Sequence, residues 1–178
     1  MAKKIFVVLT LLLSININVW AALNITNIKK TEQGYTLTFN DQIKISNITI
    51  KDKLLIFAVS NSDKSNYAPI QLLKREVNKN LTAKVLGGHT TFRQRSLTFE
   101  VAQIKKVDNA KNTIAFCKVI FDDVLEVECR VLHGKKGLWV AWPALKQSNK
   151  WRNNFVFTDK ALKKNVEASI LKALDVKE

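Results

Sequence analysis

The chain has few glycines, prolines, cysteines and histidines: its 178 residues include five, two, two and two of them respectively. The shortage of glycine and proline excludes long flexible linkers. Hydrophobic residues make up 47% and charged residues 25%, a composition typical of a globular protein and not of a disordered one. A chain of this length holds one ordinary domain or two small ones.

Catalytic and metal-binding motifs are also missing. The two histidines, His89 and His133, do not stand in an H-E-x-x-H zinc spacing, and there is no G-x-S-x-G motif, P-loop or dinucleotide-binding glycine pattern. No nucleophile is matched with a base partner. The sequence therefore predicts a protein that is not an enzyme, with no cofactor, no metal site and no small-molecule substrate.

Acidic residues are too few to balance the basic ones. The chain carries 29 Lys and Arg against 15 Asp and Glu, a net charge of +14. Such a surface attracts polyanions, so we expect the partner to be nucleic acid, anionic lipid or an acidic envelope polymer. The alternative is that the charge serves solubility alone, because the lysines are scattered with no run of five.

The N-terminus has the pattern of a signal peptide. Lys3 and Lys4 precede an apolar run at 5–13, and the small residues near Ala21 suit cleavage after it. Cleavage would remove residues 1–21 and leave a mature charge of +12, since the segment holds two lysines and no acid. We expect export to the periplasm or medium, with no membrane span after cleavage. The alternative is an uncleaved N-terminal membrane anchor.

Three segments recur in the same order, which indicates an internal duplication. Residues 27–30 recur at 103–106, residues 48–59 at 131–142, and residues 81–86 at 166–171. The spacings differ only by short insertions. We therefore predict a first copy at residues 22–87, a linker at 88–95 and a second copy at 96–178.

Apolar periodicity gives both copies the same elements. Apolar patterning predicts strands in the first copy at 23–30, from Tyr35 to Ile50 with a bulge at Ser46-Asn47, and along the continuous apolar run at 54–59. In the second copy it predicts strands at 99–107, 112–121, 125–132 and 138–142. A spacing of four predicts two helices, with apolar faces at Leu73, Val77, Leu81 and Val85 and at Leu162, Val166, Ile170 and Leu174. Gly87-Gly88 would end the first helix, and Thr158 or Asp159 would cap the second. The predicted fold class is α+β: two tandem domains, each an antiparallel sheet followed by a C-terminal helix, packed as an internal pseudo-dimer.

Residues 128–143, which read ECRVLHGKKGLWVAWP, resemble a motif of the stage V sporulation protein G (SpoVG) family, D-I-R-V-x-x-G-x-x-G-L-F-V-A-M-P. Trp151-Arg152 is similar to the family's F-R, and 166–171 to its helix segment I-Q-E-A-V-L. The resemblance covers residues 96–174 well and 23–86 more weakly. It implies a β-rich domain with one C-terminal helix, commonly paired as a dimer, in a regulator of septation and sporulation that binds DNA or RNA.

Cys117 and Cys129 fall on consecutive predicted strands. A three-residue loop at 122–124 would place them directly opposite each other, within reach of a disulfide, and export would permit oxidation. A two-residue loop would put them on opposite faces. Two reduced, buried thiols are the alternative to a disulfide, and metal binding by only two thiols is not expected.

Basic and aromatic residues of the second copy form the candidate polyanion-binding set. Its members are Lys135, Lys136, Lys146, Lys150, Trp151, Arg152, Lys160, Lys163 and Lys164. We expect the four members at 146–152 to lie in the loop between the last strands. Basic side chains neutralise phosphates, and an exposed Trp can stack on a base or sugar. The alternative is a solvated lysine face, with Trp139, Trp142 and Trp151 in the core.

The leading hypothesis is an exported, basic, non-catalytic binding protein with an anionic partner. One alternative is a nucleic-acid-binding regulator of the SpoVG type linked to septation or sporulation. Another is a structural or interaction protein of the cell envelope whose charge is incidental.

Overall fold

The computed structural model describes residues 23–62, 65–91, 96–108, 112–147 and 150–175. The first half of the chain contains β1 (Ile25–Thr31), β2 (Gly34–Phe39), β3 (Ile43–Lys51), β4 (Leu54–Ile56), β5 (Ser60–Ser62), β6 (Ser65–Tyr67), β7 (Ile70–Leu72) and α1 (Arg75–Gly87). The second half contains β8 (Phe99–Lys106), β9 (Thr113–Phe121), β10 (Leu125–Gly134), β11 (Gly137–Ala141), β12 (Ala144–Gln147), β13 (Lys150–Asn153), β14 (Phe155–Phe157) and α2 (Lys160–Asp175). The fold class is α+β with antiparallel sheets, as the sequence predicts.

Two five-stranded sheets form the body of the fold. In the first sheet the order is β1-β2-β3-β14, and β4 pairs with a further stretch of β3. In the second sheet the order is β11-β10-β9-β8, and β7 pairs with β10. Two further pairs of strands, β5–β6 and β12–β13, form separate two-stranded hairpins.

Each large sheet contains one strand from the other half of the chain. β14 pairs antiparallel with β3, placing Phe155 opposite Ile45. β7 pairs antiparallel with β10, placing Ile70 opposite Val127. Both exchanged strands are short, so their pairing depends on the buried side chains they contribute; Phe155 and Ile70 are each 1% exposed.

One core lies behind both sheets. Alternate residues of the longer strands are buried, as expected for sheets with one covered face. The largest fully buried side chains are Phe39, Phe121, Phe155, Ile25, Leu37, Ile43, Ile45, Ile48, Leu55, Ile70, Leu125 and Ile170. These side chains come from both halves, so neither half completes the core alone.

The predicted bulge in β3 is confirmed. Tyr35 pairs with Ile48 while Leu37 pairs with Ile45, so β3 has one residue more than β2 between these pairs. Asn47 takes up the extra length with a φ of 58°, a left-handed conformation that Asn tolerates better than most residues. The bulge keeps Ile45 and Ile48 both on the buried face.

Both predicted helices are present, with one error in the first. α1 begins at Arg75, and Leu73, predicted on its apolar face, lies before the helix and is 44% exposed. The Leu73 N–H instead donates to the Val124 carbonyl at 2.8 Å, continuing the path of β7. Gly88 ends α1 with a φ of 67°, as predicted from Gly87-Gly88.

Several short strands were not predicted. The region after β11, expected to be a loop around Lys146 and Lys150, forms the β12–β13 hairpin. The apolar run expected to continue to Val59 is a strand only as far as Ile56. The predicted signal peptide at residues 1–21 and residues 92–95 of the predicted linker lie outside the described residues. Over the part of the chain that the structure describes, no helix is long and apolar enough to cross a membrane.

Candidate polyanion-binding surface

The predicted basic set lies on three elements of the second half. Lys135 and Lys136 form the two-residue turn between β10 and β11, where Gly134 pairs with Gly137. Gly137 has a φ of 106°, a conformation that favours glycine. Both lysines are exposed, so the tight turn presents two cations at the tip of a hairpin.

A second group lies on the hairpin of β12 and β13, which we call the basic arm. Lys146 pairs directly with Trp151, and Lys150 and Arg152 flank that tryptophan on β13. Trp151 is 66% exposed, which excludes the alternative that it fills the core. The hairpin therefore brings four members of the predicted set together. Lys146 shares a face with the exposed indole, and Lys150 and Arg152 project from the other face.

The third group lies at the start of α2. Asp159 caps this helix: its Oδ1 accepts hydrogen bonds from the N–H groups of Ala161 at 2.8 Å and Leu162 at 3.1 Å. The Gln42 side-chain amide donates to Asp159 Oδ2 at 2.8 Å. Hydrogen bonds from Gln42 and from the Leu162 N–H are the main reasons that the pKa of Asp159 is below its ordinary value. The cap fixes the helix end from which the lysines project.

Lys160, Lys163 and Lys164 are all exposed on α2. Lys163 Nζ lies 3.8 Å from Glu167 Oε1, so part of its charge is balanced within the helix. Among the described residues, neither Lys160 nor Lys164 has a carboxylate within ion-pair distance. The predicted apolar face of α2 is confirmed, because Leu162, Val166, Ile170 and Leu174 are all buried.

The two cysteines occupy the predicted positions. The loop between β9 and β10 spans three residues, and Cys117 pairs directly with Cys129. Both are buried with free thiols. A hydrogen bond with Cys117, followed by burial, raises the pKa of the Cys129 thiol above its ordinary value. Directly opposed residues have the separation that a disulfide needs, so oxidation of this pair stays a prediction.

Two tryptophans near the β11 end have different environments. Trp142 packs against the core, as the alternative predicted for it, and its Nε1 donates to Glu167 at 2.9 Å. Trp139 is 51% exposed. Trp139 and Phe116 both lie on the outer face of the second sheet. The positions of the charged residues in the sequence do not reveal this aromatic surface. The signal for it is in the sequence, because β9 has apolar residues at alternate positions on both faces.

A polar pocket of about 470 Å³ adjoins the basic arm. Its lining residues are Thr31, Glu32, Gln33, Thr36, Ser46, Asn47, Arg152 and Asn153. The lining combines one cation and one carboxylate with amides and hydroxyls. Within the described part of the chain, no group of three or more His, Cys, Asp or Glu residues could hold a metal ion.

The second half of the chain thus consists of a four-strand meander, an arm, a short strand and a capped C-terminal helix. The model of the SpoVG family matches residues 98–175, which contain all of these elements. This part of the chain matches the SpoVG family. The SpoVG match includes every residue of the predicted polyanion-binding set. Neither the curated proteins nor the solved structures contain a significant match to the chain.

Proposed function

We propose that the chain is a non-catalytic SpoVG-like binding protein whose partner is a polyanion, either nucleic acid or an acidic envelope polymer. The observation that carries this proposal is the basic arm, where Trp151 and three cations share one exposed hairpin. Phosphates or carboxylates of a polymer would neutralise the cations, and the indole would stack on a base or sugar.

We also infer that the chain is a tandem pair of SpoVG-like halves packed as an internal pseudo-dimer. Three parallels support this inference. Each half runs meander, hairpin, short strand and helix, and each gives its short strand to the other half's sheet. The turns after Phe39 and Phe121 both have two successive residues at positive φ, Asn40-Asp41 and Asp122-Asp123. The family match covers the second half, so the first half is the divergent member.

Export is the third part of the proposal. It is supported by the basic, apolar and small-residue pattern at residues 1–21. N-terminal sequencing of the protein from each cell fraction tests it: we expect a chain that begins at Ala22, outside the cytoplasm. A cytoplasmic chain that retains Met1 would instead favour the second candidate, a regulator of septation or sporulation, which family membership supports.

Salt dependence tests polyanion binding. The logarithm of the affinity for single-stranded DNA, RNA or an acidic polysaccharide should fall linearly with the logarithm of the salt concentration. Replacing Lys150 and Arg152 by alanine should lower that slope by about one for each phosphate that the arm no longer neutralises. The control is Lys29→Ala with Lys44→Ala, which removes the same charge from exposed positions of the first sheet.

Three results bear directly on this proposal. A steep slope that the arm variant lowers and the control leaves unchanged would support it. Equal effects of both variants would mean that net charge, not the arm, attracts the polymer. No binding at low salt would refute the polyanion partner and favour a structural envelope protein.

A further inference from the structure

The second sheet has an outer face that points away from the core. On β9, Ala115, Cys117 and Val119 are fully buried, so Phe116 and Lys118 between them project from the opposite face. Phe116 is 36% exposed, and Trp139 on β11 is 51% exposed. Two aromatic side chains therefore lie on an open sheet surface, where most residues are polar.

The first sheet gives an internal comparison. Its outer face carries Thr36 and Thr38 on β2, Lys44 and Thr49 on β3, and Ile56 on β4. Ile56 and Trp139 hold corresponding positions, because each is the third residue of the strand that follows a hairpin turn. Ile56 lies opposite Thr49, and Trp139 lies opposite Leu132. No aromatic residue occupies this part of the first sheet. The exposed rings are therefore specific to the second sheet and are not required by the strand arrangement that the two sheets share.

Cations stand on both sides of the Phe116 ring. Phe116 pairs with Lys105 on β8 and with Arg130 on β10. Neighbouring strands are about 4.8 Å apart, so each cation lies one strand away from the ring. Within the described residues, neither Lys105 nor Arg130 is in an ion pair. Their charges are available to a partner.

Trp139 is held close to the backbone of the neighbouring strand. A Cβ atom built on Gly134 would lie 3.1 Å from the Trp139 Nε1 atom and 3.2 Å from its Cδ1 atom. The missing side chain at Gly134 therefore leaves room for the indole. Lys135 and Lys136 follow directly in the hairpin turn, so this ring also has cations beside it.

The charges on the outer face are separated along the strands. At the end near the β9–β10 turn, Glu100 and Glu126 both face Ile120, and Lys118 forms an ion pair with Glu126 at 2.9 Å. The row that contains Phe116 holds the cations Lys105 and Arg130, and neither that row nor the Trp139 row holds a carboxylate. The aromatic end is thus the anion-attracting end of the face.

Polar groups lie next to the Phe116 ring. A shallow pocket of about 320 Å³ is lined by Gln103, Lys105, Phe116, Lys118 and Glu128. An amide and a carboxylate beside an exposed ring can hydrogen-bond the edge of a base that stacks on that ring.

We propose that Phe116 and Trp139, with Lys105 and Arg130, form a stacking site for the unpaired bases of a single-stranded polynucleotide. We call these four residues the stacking face. The rings take the base faces, and the flanking cations take the phosphates. A duplex buries its base faces in its own stack, so the stacking face selects single strands. This proposal rests on the polyanion function proposed above and names the form of the polymer.

Binding of the full-length chain to a fluorescent oligothymidylate and to a duplex of equal length tests the stacking face. Base stacking on an aromatic residue is worth about 1–3 kcal/mol, so Phe116→Leu should weaken binding of the single strand roughly 5- to 150-fold. Duplex affinity should change little. Phe116→Tyr keeps a ring and should retain the affinity of the unaltered chain.

Ile56→Ala is the matched control, because Ile56 is an exposed apolar residue on the outer face of the first sheet, 41% exposed. It should leave single-strand binding unchanged. Loss of binding in Phe116→Leu and Trp139→Leu, but not in Ile56→Ala, supports the stacking face.

Other outcomes separate failure of this proposal from failure of the polyanion function. If duplex and single strand bind equally and Phe116→Leu has no effect, the stacking face is wrong while polyanion binding stands. If no polyanion binds at low salt, both proposals fall. If Phe116→Leu instead dissociates a dimer of the chain, the face belongs to a second copy and the proposal is overturned.

Discussion

Replacing Phe155 by alanine tests whether the exchanged strands unite the two halves. Phe155 is 1% exposed and lies on β14, which comes from the second half but pairs with β3 of the first. Its ring centroid is 5.2 Å from that of Trp142, 5.1 Å from that of Phe157 and 6.1 Å from that of Phe121. The substitution therefore leaves a cavity where the first sheet meets an aromatic cluster of the second half.

The size of the effect follows from burial. Truncation of a buried phenylalanine to alanine typically costs about 3–5 kcal/mol, from lost transfer energy and the cavity left behind. Small domains have a total unfolding free energy of about 5–15 kcal/mol. Phe155→Ala should therefore lower the urea midpoint strongly, without a change in the slope of the transition.

Two probes of the same unfolding experiment decide the question. Tryptophan fluorescence reports on the cluster around Trp142, and hydrogen exchange of β2 and β3 amides reports on the first sheet. Both should be destabilised together. Leu86→Ala, on an α1 side chain that is 61% exposed, is the control and should cost less than about 0.5 kcal/mol. A loss below about 1 kcal/mol for Phe155→Ala, or an unaffected first sheet, would refute the reasoning.

Further predictions concern local features. Oxidation by glutathione disulfide during refolding should join Cys117 to Cys129 and stabilise the chain by about 3 kcal/mol, seen by urea unfolding with and without reductant; a mixed disulfide with glutathione alone would contradict the opposed placement. The lowered pKa of Asp159 means that its contribution to stability is present above the unfolded-state value of about 3.9 and is lost as the pH falls through the lower folded-state value. Asp159→Asn keeps a capping side chain but should flatten this acid-side loss in thermal melts, and an unchanged pH profile would argue against the assignment. Gly34→Ala should destabilise the chain more than Gly88→Ala in the same melts, because a Cβ at the first position overlaps a backbone carbonyl of β3 while the second has open space; equal losses would contradict the tight approach of β2 and β3.

Long strands and helices could be predicted from the sequence because their partners are local and their periodicity is sustained. Alternation in β2, β9 and β10 indicates the buried faces, and the phase slip at Ser46-Asn47 indicates the bulge. The register of Cys117 with Cys129 is the one predicted for a three-residue loop, which was one of the two loop lengths that the sequence left open. These features depend on one stretch of chain and its immediate neighbour.

The exchanged strands could not be predicted in the same way. β7 and β14 have three residues each, too few to show a period, and each pairs with a strand in the other half of the chain. Leu73 continues the helical spacing of Val77 and Leu81, although the chain there still follows β7. Spacing alone does not show where a strand ends and a helix begins.

The first of the three repeat matches is out of register with the structure. The match pairs residue 28 with residue 104. Leu37 and Val119 correspond in the structure, because each stands two residues before the phenylalanine that ends its strand. Leu37 lies opposite Ile28, whereas Val119 lies opposite Val101 and not Ile104. The two strands have bulges at different points, after Ile25 in β1 and after Val101 in β8. Similar side chains at 28 and 104 therefore occupy different positions along their strands.

Only part of the candidate site could be predicted. The sequence identifies exposed cations and Trp151, because charge is visible in composition and the aromatic residue stands beside basic ones. It does not identify Phe116 and Trp139, since an apolar residue in a strand is normally assigned to the core. The sequence shows apolar residues on both faces of β9, and the burial and pairing of the strands show which of them lie on the outer face.

Photo-crosslinking of a bound single-stranded oligonucleotide, with the crosslinked peptides mapped by mass spectrometry, tests the polyanion-binding account most directly. The account predicts crosslinks in peptides that carry the stacking face and the basic arm, all within residues 98–175. Crosslinks confined to residues 23–91, or none at low salt, would contradict it.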